Sequence, residues 1–315
     1  MGVLDRADTI SLLLCVTIGN FDGVHVGHRA LIDRARKVAG PSGRVTAVTF
    51  EPHPLRLLRP EIAPQTVQLP TERRQALLDA GASEVRVLEV NRALLQMEAA
   101  AFIAWLRQDT GFDAIVEGPD FHFGKGRGGD IALLRREGAR SGFAVEVVEP
   151  IQVQLSDGGV AAASSSLVRW LLCHGRVEDA ARVLGRPYGF NGVVIRGDQR
   201  GREIGWPTAN IEHGDRLLPA DGVYAGTAEL PDGTRRRAAI SVGTKPTFGD
   251  AERTVEAFLL DHQAPLDQYG WRLTVTFDRW LREQARYESI DPLLAQMRRD
   301  VVRTRAEIPQ EALAP

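Results

Sequence analysis

The sequence has few of the features that mark disulfide-rich, nucleic-acid-binding or membrane-spanning proteins. It holds only two cysteines, Cys15 and Cys173, both in apolar stretches, which argues against a disulfide framework and favours the cytoplasm. Its 39 basic and 41 acidic residues give a formal net charge of -2, so no nucleic-acid partner is indicated. The apolar run Leu12–Ile18 is too short to span a bilayer and lacks the basic flank of a signal peptide, so no membrane attachment is expected.

The first half of the chain alternates strand and helix patterns. Hydrophobic residues make up 43% of the 315 residues, which is enough for two domains with sizeable cores. Runs rich in apolar and β-branched residues alternate with amphipathic segments, and this alternation predicts a parallel α/β sheet. The predicted strands are Ser11–Ile18, Arg44–Phe50, Val85–Val90, Ala114–Glu117 and Val145–Val153.

The turn after the first predicted strand, residues 19–28, reads Gly-Asn-Phe-Asp-Gly-Val-His-Val-Gly-His. Such a turn lies at the carboxyl end of a parallel strand, where ligands bind, and the start of the following helix favours an anion. His25 and His28 can both face one phosphate and stabilise charge on it. Zinc binding, for which no third ligand stands nearby, and an ordinary turn are the alternatives. His53, between two prolines, either faces the same pocket or only fills its own turn.

This turn resembles the nucleotide-binding signature of the bacterial bifunctional riboflavin kinase/FAD synthetases, whose N-terminal module is similar to the HxGH nucleotidyltransferases. The resemblance implies a Rossmann-like FMN adenylyltransferase domain over residues 1–184 and a riboflavin kinase domain over residues 185–310. It also implies that His25 and His28 act in catalysis. The contacts to ATP and its phosphates that it implies in this turn are Gly19, Asn20, Phe21, Asp22 and Gly27.

The loop after the fourth predicted strand, residues 118–130, combines aromatic, acidic and basic side chains with five glycines. Its aromatic rings could sandwich a flat heterocycle, and an ordinary mobile loop is the alternative. The loop resembles the family's Asp-Phe-Arg-Phe-Gly segment, with His122 where arginine is usual. The resemblance implies flavin contacts from Asp120, Phe121 and Phe123.

A second phosphate-binding pattern begins at Ala163. Ser164, Ser165 and Ser166 open a predicted helix, where they can cap the helix or present hydroxyl and N–H groups to a phosphate. Arg169 lies about one turn further and is long enough to reach a phosphate oxygen. The segment resembles the Ile-Ser-Ser-Thr-x-x-Arg motif of the HxGH superfamily. The resemblance implies phosphate contacts from the three serines and a catalytic role for Arg169.

From residue 185 onward the pattern changes to short strands separated by glycine-rich turns. This pattern predicts a small antiparallel β-barrel, on which a terminal helix, Pro292–Glu307, is expected to pack. The predicted strands are Phe190–Arg196, Gly222–Ala228, Ala238–Val242, Thr254–Leu260 and Trp271–Trp280.

Residues 197–210 end in Gly-Trp-Pro-Thr-Ala-Asn and resemble the riboflavin-kinase signature Gly-x-Pro-Thr-Ala-Asn. Glycines such as Gly201 and Gly205 suit a loop that wraps phosphates. Thr208 and Asn210 offer neutral oxygens to Mg²⁺, which keeps several waters and needs few protein ligands. The segment therefore predicts a site for ATP and magnesium.

Other segments of the second half match the kinase pattern with departures. Glu256 lies in a mostly apolar predicted strand, where a lone glutamate is usually solvent-facing, and the resemblance implies that it is the catalytic base. Residues 241–248 resemble Asn-x-Gly-x-x-Pro-Thr-Phe, with Ser241 in place of Asn. Residues 282–287 resemble Arg-x-Glu-x-Lys-Phe, with Gln284 in place of Glu, and imply a flavin contact from Arg282.

Together the motifs predict an enzyme that phosphorylates riboflavin with MgATP and then transfers AMP from a second ATP to FMN, giving FAD. ATP, riboflavin and FMN are the expected small-molecule partners. Two alternatives remain: one domain is a flavin-binding or regulatory module without turnover, or adenylyl transfer serves another acceptor. The sequence indicates no oligomeric state.

Overall fold

The computed structural model describes residues 13–197, 201, 205–244, 253–262 and 268–313, which form two compact units. The first unit extends to Pro64 and continues over Pro70–Ile151, whereas the second contains Gln65–Leu69 and the described residues from Gln152 onward. Packing thus assigns residues 152–184 to the second unit. The functional boundary predicted at 184/185 stays a prediction.

The first unit is built on a five-stranded parallel sheet with the order β3-β2-β1-β4-β5. Because the order reverses between β1 and β4, the carboxyl ends of these strands border the crevice in which such sheets bind ligands. The strands are β1 (Leu14–Ile18), β2 (Arg44–Glu51), β3 (Glu84–Glu89), β4 (Ala114–Glu117) and β5 (Ala144–Val147).

The helices of this unit bury the apolar stripes seen in the sequence. On the helix Ala99–Thr110, for example, Phe102, Ile103 and Leu106 are buried, and the helix ends at Gly111 in the left-handed conformation. The helices are α1 (Val26–Ala39), α2 (Pro54–Leu58), α3 (Pro70–Asp79), α4 (Arg92–Leu95), α5 (Ala99–Thr110) and α6 (Ile131–Ser141), with 3-10 turns at Pro60–Ile62 and Lys125–Arg127.

The second unit contains a closed antiparallel barrel. A separate two-stranded sheet pairs β6 (Gln152–Gln154) with β7 (Val160–Ala162). The barrel strands are β8 (Tyr188–Ile195), β9 (Ala209–Ile211), β10 (Gly222–Glu229), β11 (Arg235–Thr244), β12 (Arg253–Leu259) and β13 (Arg272–Arg282). The helices are α7 (Ser165–Cys173), α8 (Val177–Leu184) and α9 (Ile290–Glu307), followed by a 3-10 turn at Gln310–Leu313.

Alternation along the barrel strands separates a buried core from an outer face. On β12, Val255, Ala257 and Leu259 belong to the core, so Glu256 and Phe258 point to the outer face. Helices α7 and α8 contribute to the same core, and α9 packs against β10, β11 and β13.

The structure confirms the predicted parallel α/β sheet, the antiparallel barrel and the terminal helix. The single strand predicted over Val145–Val153 is wrong. That stretch forms the end of β5 and the start of β6, because Pro150 has no N–H to donate to a ladder. None of the helices in the described ranges is both long and apolar enough to cross a membrane.

Candidate active sites

The turn after β1 has an unusual backbone conformation, which buried side chains hold in place. Phe21 and Val24 have positive φ angles of 49° and 41°, which residues with side chains rarely adopt. The Phe21 ring is buried, and a Cβ on Gly19 would lie 3.3 Å from it. The predicted phosphate contact of Phe21 would therefore come from its backbone. Asp22 is also buried, and Gly27 lies in the first turn of α1.

The two histidines of the turn contact each other. His25 caps α1, because its Nδ1 accepts the backbone N–H of His28 at 3.4 Å, so a neutral His25 carries its proton on Nε2. The imidazole rings stack with centroids 3.6 Å apart, and Phe21 meets the His28 ring edge-on at 5.0 Å. Burial, and secondarily the charge of His25, hold the pKa of His28 well below its ordinary value. His28 is therefore neutral near pH 7.

Within the described part of the chain, the Nδ1 atom of His28 is buried without a hydrogen-bond partner. His53 belongs to the same site, since its Nε2 lies 3.1 Å from the side-chain amide of Asn20. The Nδ1 of His53 accepts the N–H of Leu55 at 3.1 Å and caps α2. A neutral His53 thus donates from Nε2, which requires the amide oxygen of Asn20 to face it. His53 thus contacts the turn through Asn20 and also caps its own helix, so both interpretations describe part of its surroundings.

Glu117, which the sequence did not single out, bridges the two central strands. Its Oε1 accepts the N–H of Ile18 at 2.5 Å, beyond the last paired residues of β1 and β4, Val16 and Ile115. The side chain is 2% exposed, and burial raises the pKa of its carboxyl well above the ordinary value. The carboxyl therefore sits at the point where the strand order reverses.

Glu117→Gln is expected to make the first unit more stable than it is in the unmodified protein, by a margin that grows as the pH rises. Above the ordinary glutamate pKa of 4.5, the folded state keeps a proton that the unfolded chain releases. Between this value and the raised pKa of the folded state, each pH unit lowers the free energy of unfolding by about 1.4 kcal/mol. Glutamine accepts the same N–H without titrating, so the midpoint temperature of the variant should rise relative to that of the unmodified protein as the pH increases above 4.5. Parallel pH profiles would contradict a protonated carboxyl.

The aromatic loop after β4 divides its two rings between core and surface. Phe123 is buried in the apolar core, whereas Phe121 is only half-buried and stacks on Phe123 with ring centroids 5.2 Å apart. Asp120 is exposed, and its carbonyl lies 2.8 Å from Nδ1 of His122. Of the two aromatic rings predicted to contact flavin, that of Phe121 is partly accessible to a ligand, and Phe123 packs behind it.

The serine and arginine pattern lies at the start of α7. Ser164 caps the helix by accepting the N–H of Leu167 at 3.1 Å. Arg169 donates from Nε to the carbonyl of Gln65 at 3.0 Å, and Ser166 is exposed. These residues belong to the second unit and the histidine turn to the first, so their joint action on one phosphate chain stays a prediction.

Three residues predicted for the kinase site, Thr208, Asn210 and Glu256, come together on the outer face of the barrel. The Thr208 hydroxyl donates to Oε2 of Glu256 at 3.3 Å, and Glu256 pairs across the ladder with Asn210. Trp206 packs on Phe258 with ring centroids 4.8 Å apart, which anchors the loop that carries Thr208. Neither aromatic residue was singled out in the sequence.

Glycines leave room for these side chains. A Cβ on Gly197 would lie 2.2 Å from the Asn210 amide, and a Cβ on Gly201 would lie 2.4 Å from the carbonyl of Trp206. Gly205 has a φ of 79°, which favours glycine. Residues 198–200 and 202–204 of this motif, and residues 245–248 of the neighbouring one, lie outside the described residues.

Gly197→Ala is expected to reduce riboflavin phosphorylation while FMN adenylylation is unchanged. The added methyl group would displace the Asn210 amide, and a shift of about 1 Å at a reacting centre costs about 100-fold in rate. The measurement compares both initial rates in one preparation. Equal kinase rates would show that Asn210 does not need its observed place.

Arg282 is bound to the terminal helix. Its guanidinium makes three hydrogen bonds of 2.7–3.1 Å to Asp300, and the aspartate also accepts from Gln296 at 2.9 Å. Desolvation opposes and the aspartate favours the charged guanidinium, with a net rise in the pKa of Arg282. The arginine predicted to touch flavin thus fixes the end of β13 against α9.

Comparison with known proteins identifies a family for each half of the chain. The family model for FAD synthetase matches residues 10–160, and the model for riboflavin kinase matches residues 184–308. A bifunctional riboflavin kinase/FMN adenylyltransferase from Pseudomonas fluorescens is 38% identical over 93% of this chain and 92% of its own length. The protein of the same description from Escherichia coli K12 is 35% identical over 92% of each chain.

A solved structure also matches along the whole fold. A crystal structure described as a macrolide-efflux protein from Streptococcus pneumoniae is 28% identical, with a TM-score of 0.82 over 94% of each chain. The identity to the curated relatives, together with both family models, assigns the chain. It belongs to the family of bifunctional riboflavin kinase/FMN adenylyltransferases, enzymes that convert riboflavin to FMN and FMN to FAD.

Proposed function

We propose that the turn after β1 carries out adenylyl transfer, with His25 and His28 stabilising the α-phosphate of ATP. An ionised oxygen of the FMN phosphate forms a bond to the α-phosphorus, and the bond to the bridging oxygen breaks to release pyrophosphate. The phosphate of FMN is already ionised near neutral pH, so no general base is required. Positioning and charge stabilisation supply the rate.

The contacts of the histidines support this role. His25 is held by its cap and its stack on His28, and the lowered pKa of His28 makes that ring a neutral hydrogen-bond donor rather than an acid. The side-chain amide of Asn20 lies 3.1 Å from His53, so this contact ties the start of the turn to the segment after β2. Gly19 and Gly27 leave the backbone open to phosphates.

The start of α7 is proposed to hold the outgoing phosphates. Ser164, Ser165 and Ser166 stand at a helix N-terminus, where backbone N–H groups and the helix dipole favour an anion. Arg169 lies on the first turns of the same helix, and its guanidinium is proposed to bind a phosphate oxygen.

The outer face of the barrel is proposed to phosphorylate riboflavin, with Glu256 as the base. The proton of the riboflavin 5′-hydroxyl passes to the Glu256 carboxylate as that oxygen bonds to the γ-phosphorus and the bond to ADP breaks. The observation that carries this proposal is the proximity of Thr208 and Asn210 to Glu256. A 3.3 Å hydrogen bond joins Thr208 to Glu256, and strand pairing places Asn210 beside it. Gly201 and Gly205 would line the phosphates.

Thr208 and Asn210 would hold Mg²⁺ together with ATP. The Thr208 hydroxyl donates a hydrogen bond to Glu256 and keeps its lone pairs for a cation, and Gly197 leaves space for the Asn210 amide. Hydroxyl and amide oxygens are ligands that Mg²⁺ takes. When bound, the cation neutralises charge on the phosphates.

Two further parts of the proposal concern flavin and location. Phe121, with Asp120 beside it, is proposed to stack on flavin in the first unit, backed by Phe123. Arg282 is proposed to act on flavin by fixing the end of β13 rather than by direct contact. The near absence of cysteine supports the cytoplasm, and the net charge of -2 offers nothing to nucleic acid.

A chromatographic time course of the purified protein with riboflavin, ATP and magnesium tests the function. FMN is expected first and FAD later, with one pyrophosphate released per FAD. Accumulation of FMN without FAD would overturn the role given to the histidine turn. Absence of any phosphorylated flavin would overturn the kinase role of the barrel and favour a binding module.

A further inference from the structure

The segment after β13 is fixed at two points. Arg282 is bound to Asp300 on α9, and Asp300 is only 3% exposed. Two residues on, the side-chain amide nitrogen of Gln284 donates to the Ser241 hydroxyl on β11 at 3.0 Å. A Cβ at Gly243 would lie 2.3 Å from the Gln284 amide, so this amide lies closely over the β11 backbone.

Ser241 is the cross-strand neighbour of the proposed base. It pairs with Glu256, which pairs on its other side with Asn210, so the three form one row across β11, β12 and β9. Their neighbours Val242 and Val255 are buried in the barrel core, which puts the row on the outer face. Residues directly opposite each other have Cβ atoms about 5 Å apart, so Ser241 is within reach of a group bound at Glu256.

The row has two chemically different sides. Thr208 and Asn210, on one side of Glu256, are proposed to meet the cation and the phosphates. In an in-line transfer the attacking hydroxyl approaches from the side opposite the leaving oxygen. The acceptor therefore approaches Glu256 from the side of Ser241.

In its hydrogen bond with Gln284 the Ser241 oxygen is the acceptor, so the hydroxyl hydrogen is not used in this contact. The Gln284 amide donates this hydrogen bond, which is 3.0 Å long, and the Ser241 oxygen accepts it. A hydroxyl that accepts one bond can still donate its own hydrogen. We propose that Ser241 donates a hydrogen bond to the hydroxylated side chain of the phosphoryl acceptor, and that Gln284 is the positioning residue that orients it. This inference rests on the proposed kinase function of the barrel.

The two departures from the family pattern are the two partners of this bond. The patterns that these segments resemble have Asn and Glu at the two positions, and any hydrogen bond between an amide and an ionised carboxylate would have residue 241 as its donor. This chain has Ser241 and Gln284, in which residue 284 donates. The direction of the hydrogen bond is therefore opposite to the one that an Asn–Glu pair would form. Changing one residue alone would disturb the donor–acceptor pairing seen in this chain.

Gln284→Glu tests the inference because it keeps the shape and changes the donor to an acceptor. The Ser241 hydroxyl would then donate its hydrogen bond to the new carboxylate instead of to riboflavin. The KM for riboflavin is therefore expected to rise about tenfold, with the KM for ATP unchanged. Ser241→Ala should give a similar rise, and the double variant Ser241→Ala with Gln284→Glu should add little to either. The double variant Ser241→Asn with Gln284→Glu should recover most of the loss. Gln310→Glu, at an exposed position, is the matched control for the added charge.

Riboflavin affinity, measured by quenching of its fluorescence without ATP, separates this inference from the function on which it rests. Weaker binding by Gln284→Glu, relieved by Ser241→Asn, supports the pair as an acceptor subsite. Unchanged binding and unchanged riboflavin KM in both Gln284→Glu and Ser241→Ala would overturn it. A rise in the KM for ATP instead would also overturn it and assign the pair to the phosphate side. A failed kinase function would appear as no turnover by the unmodified protein, whatever its riboflavin affinity.

Discussion

Replacing His28 with alanine is expected to lower the rate of FAD formation from FMN about a thousandfold, because a donor aimed at developing charge is worth about 10²–10³ in rate. Loss of the ring also removes the stack on His25 and the edge contact with Phe21, so His25 loses one of its supports. Riboflavin phosphorylation should continue at its normal rate, since the kinase residues lie on the barrel. Both initial rates are measured by chromatography of the flavins.

His174→Ala is the matched control for this variant. That histidine is exposed and stacks on Trp170 at the end of α7, so both rates should stay as they are in the unmodified protein. Loss of both activities in His28→Ala would mean that His28 is needed for folding. Full retention of FAD formation would mean that other donors stabilise the α-phosphate.

Replacing Glu256 with glutamine is expected to lower riboflavin phosphorylation about a thousandfold, within the range of about 10²–10⁴ that a positioned base contributes. Glutamine keeps an oxygen that accepts from the Thr208 hydroxyl, so the loop and the ATP site should persist. The KM for ATP and the conversion of FMN to FAD should therefore change little.

Glu229→Gln removes a half-exposed carboxylate from the same barrel, where it pairs with Arg235 at 2.8 Å. A half-exposed pair of this kind contributes little to stability, so both rates should be unchanged. A normal phosphorylation rate in Glu256→Gln would require another base. A large rise in the KM for ATP with unchanged kcat would reassign Glu256 to nucleotide binding.

Local motifs allowed some of the contacts within both candidate sites to be predicted. His25 and His28 lie next to each other because three positions bring side chains to one face at the start of a helix. Thr208 and Glu256 meet because the Thr208 loop leads into β9, which pairs with β12. In each case a short spacing or a single strand pairing brings the residues together.

Contacts between distant parts of the chain escaped prediction. The partner of Glu117 is the N–H of Ile18, 99 residues away, and the only local sign was a carboxylate at the end of an apolar run. Arg282 could not be connected with Asp300 before the path of α9 was known. Phe121 and Phe123 look equivalent in the sequence, but in the structure Phe123 is buried and Phe121 is partly exposed.

A two-stage assay tests most directly whether one chain carries two independent sites. His28→Ala is incubated with riboflavin, ATP and magnesium until FMN stops accumulating, and Glu256→Gln is then added to the same tube. The predicted result is FMN alone in the first stage and FAD only after the addition. FAD in the first stage would contradict the role of His28. No FAD after the addition would mean that Glu256 serves both steps and that the two reactions share one site.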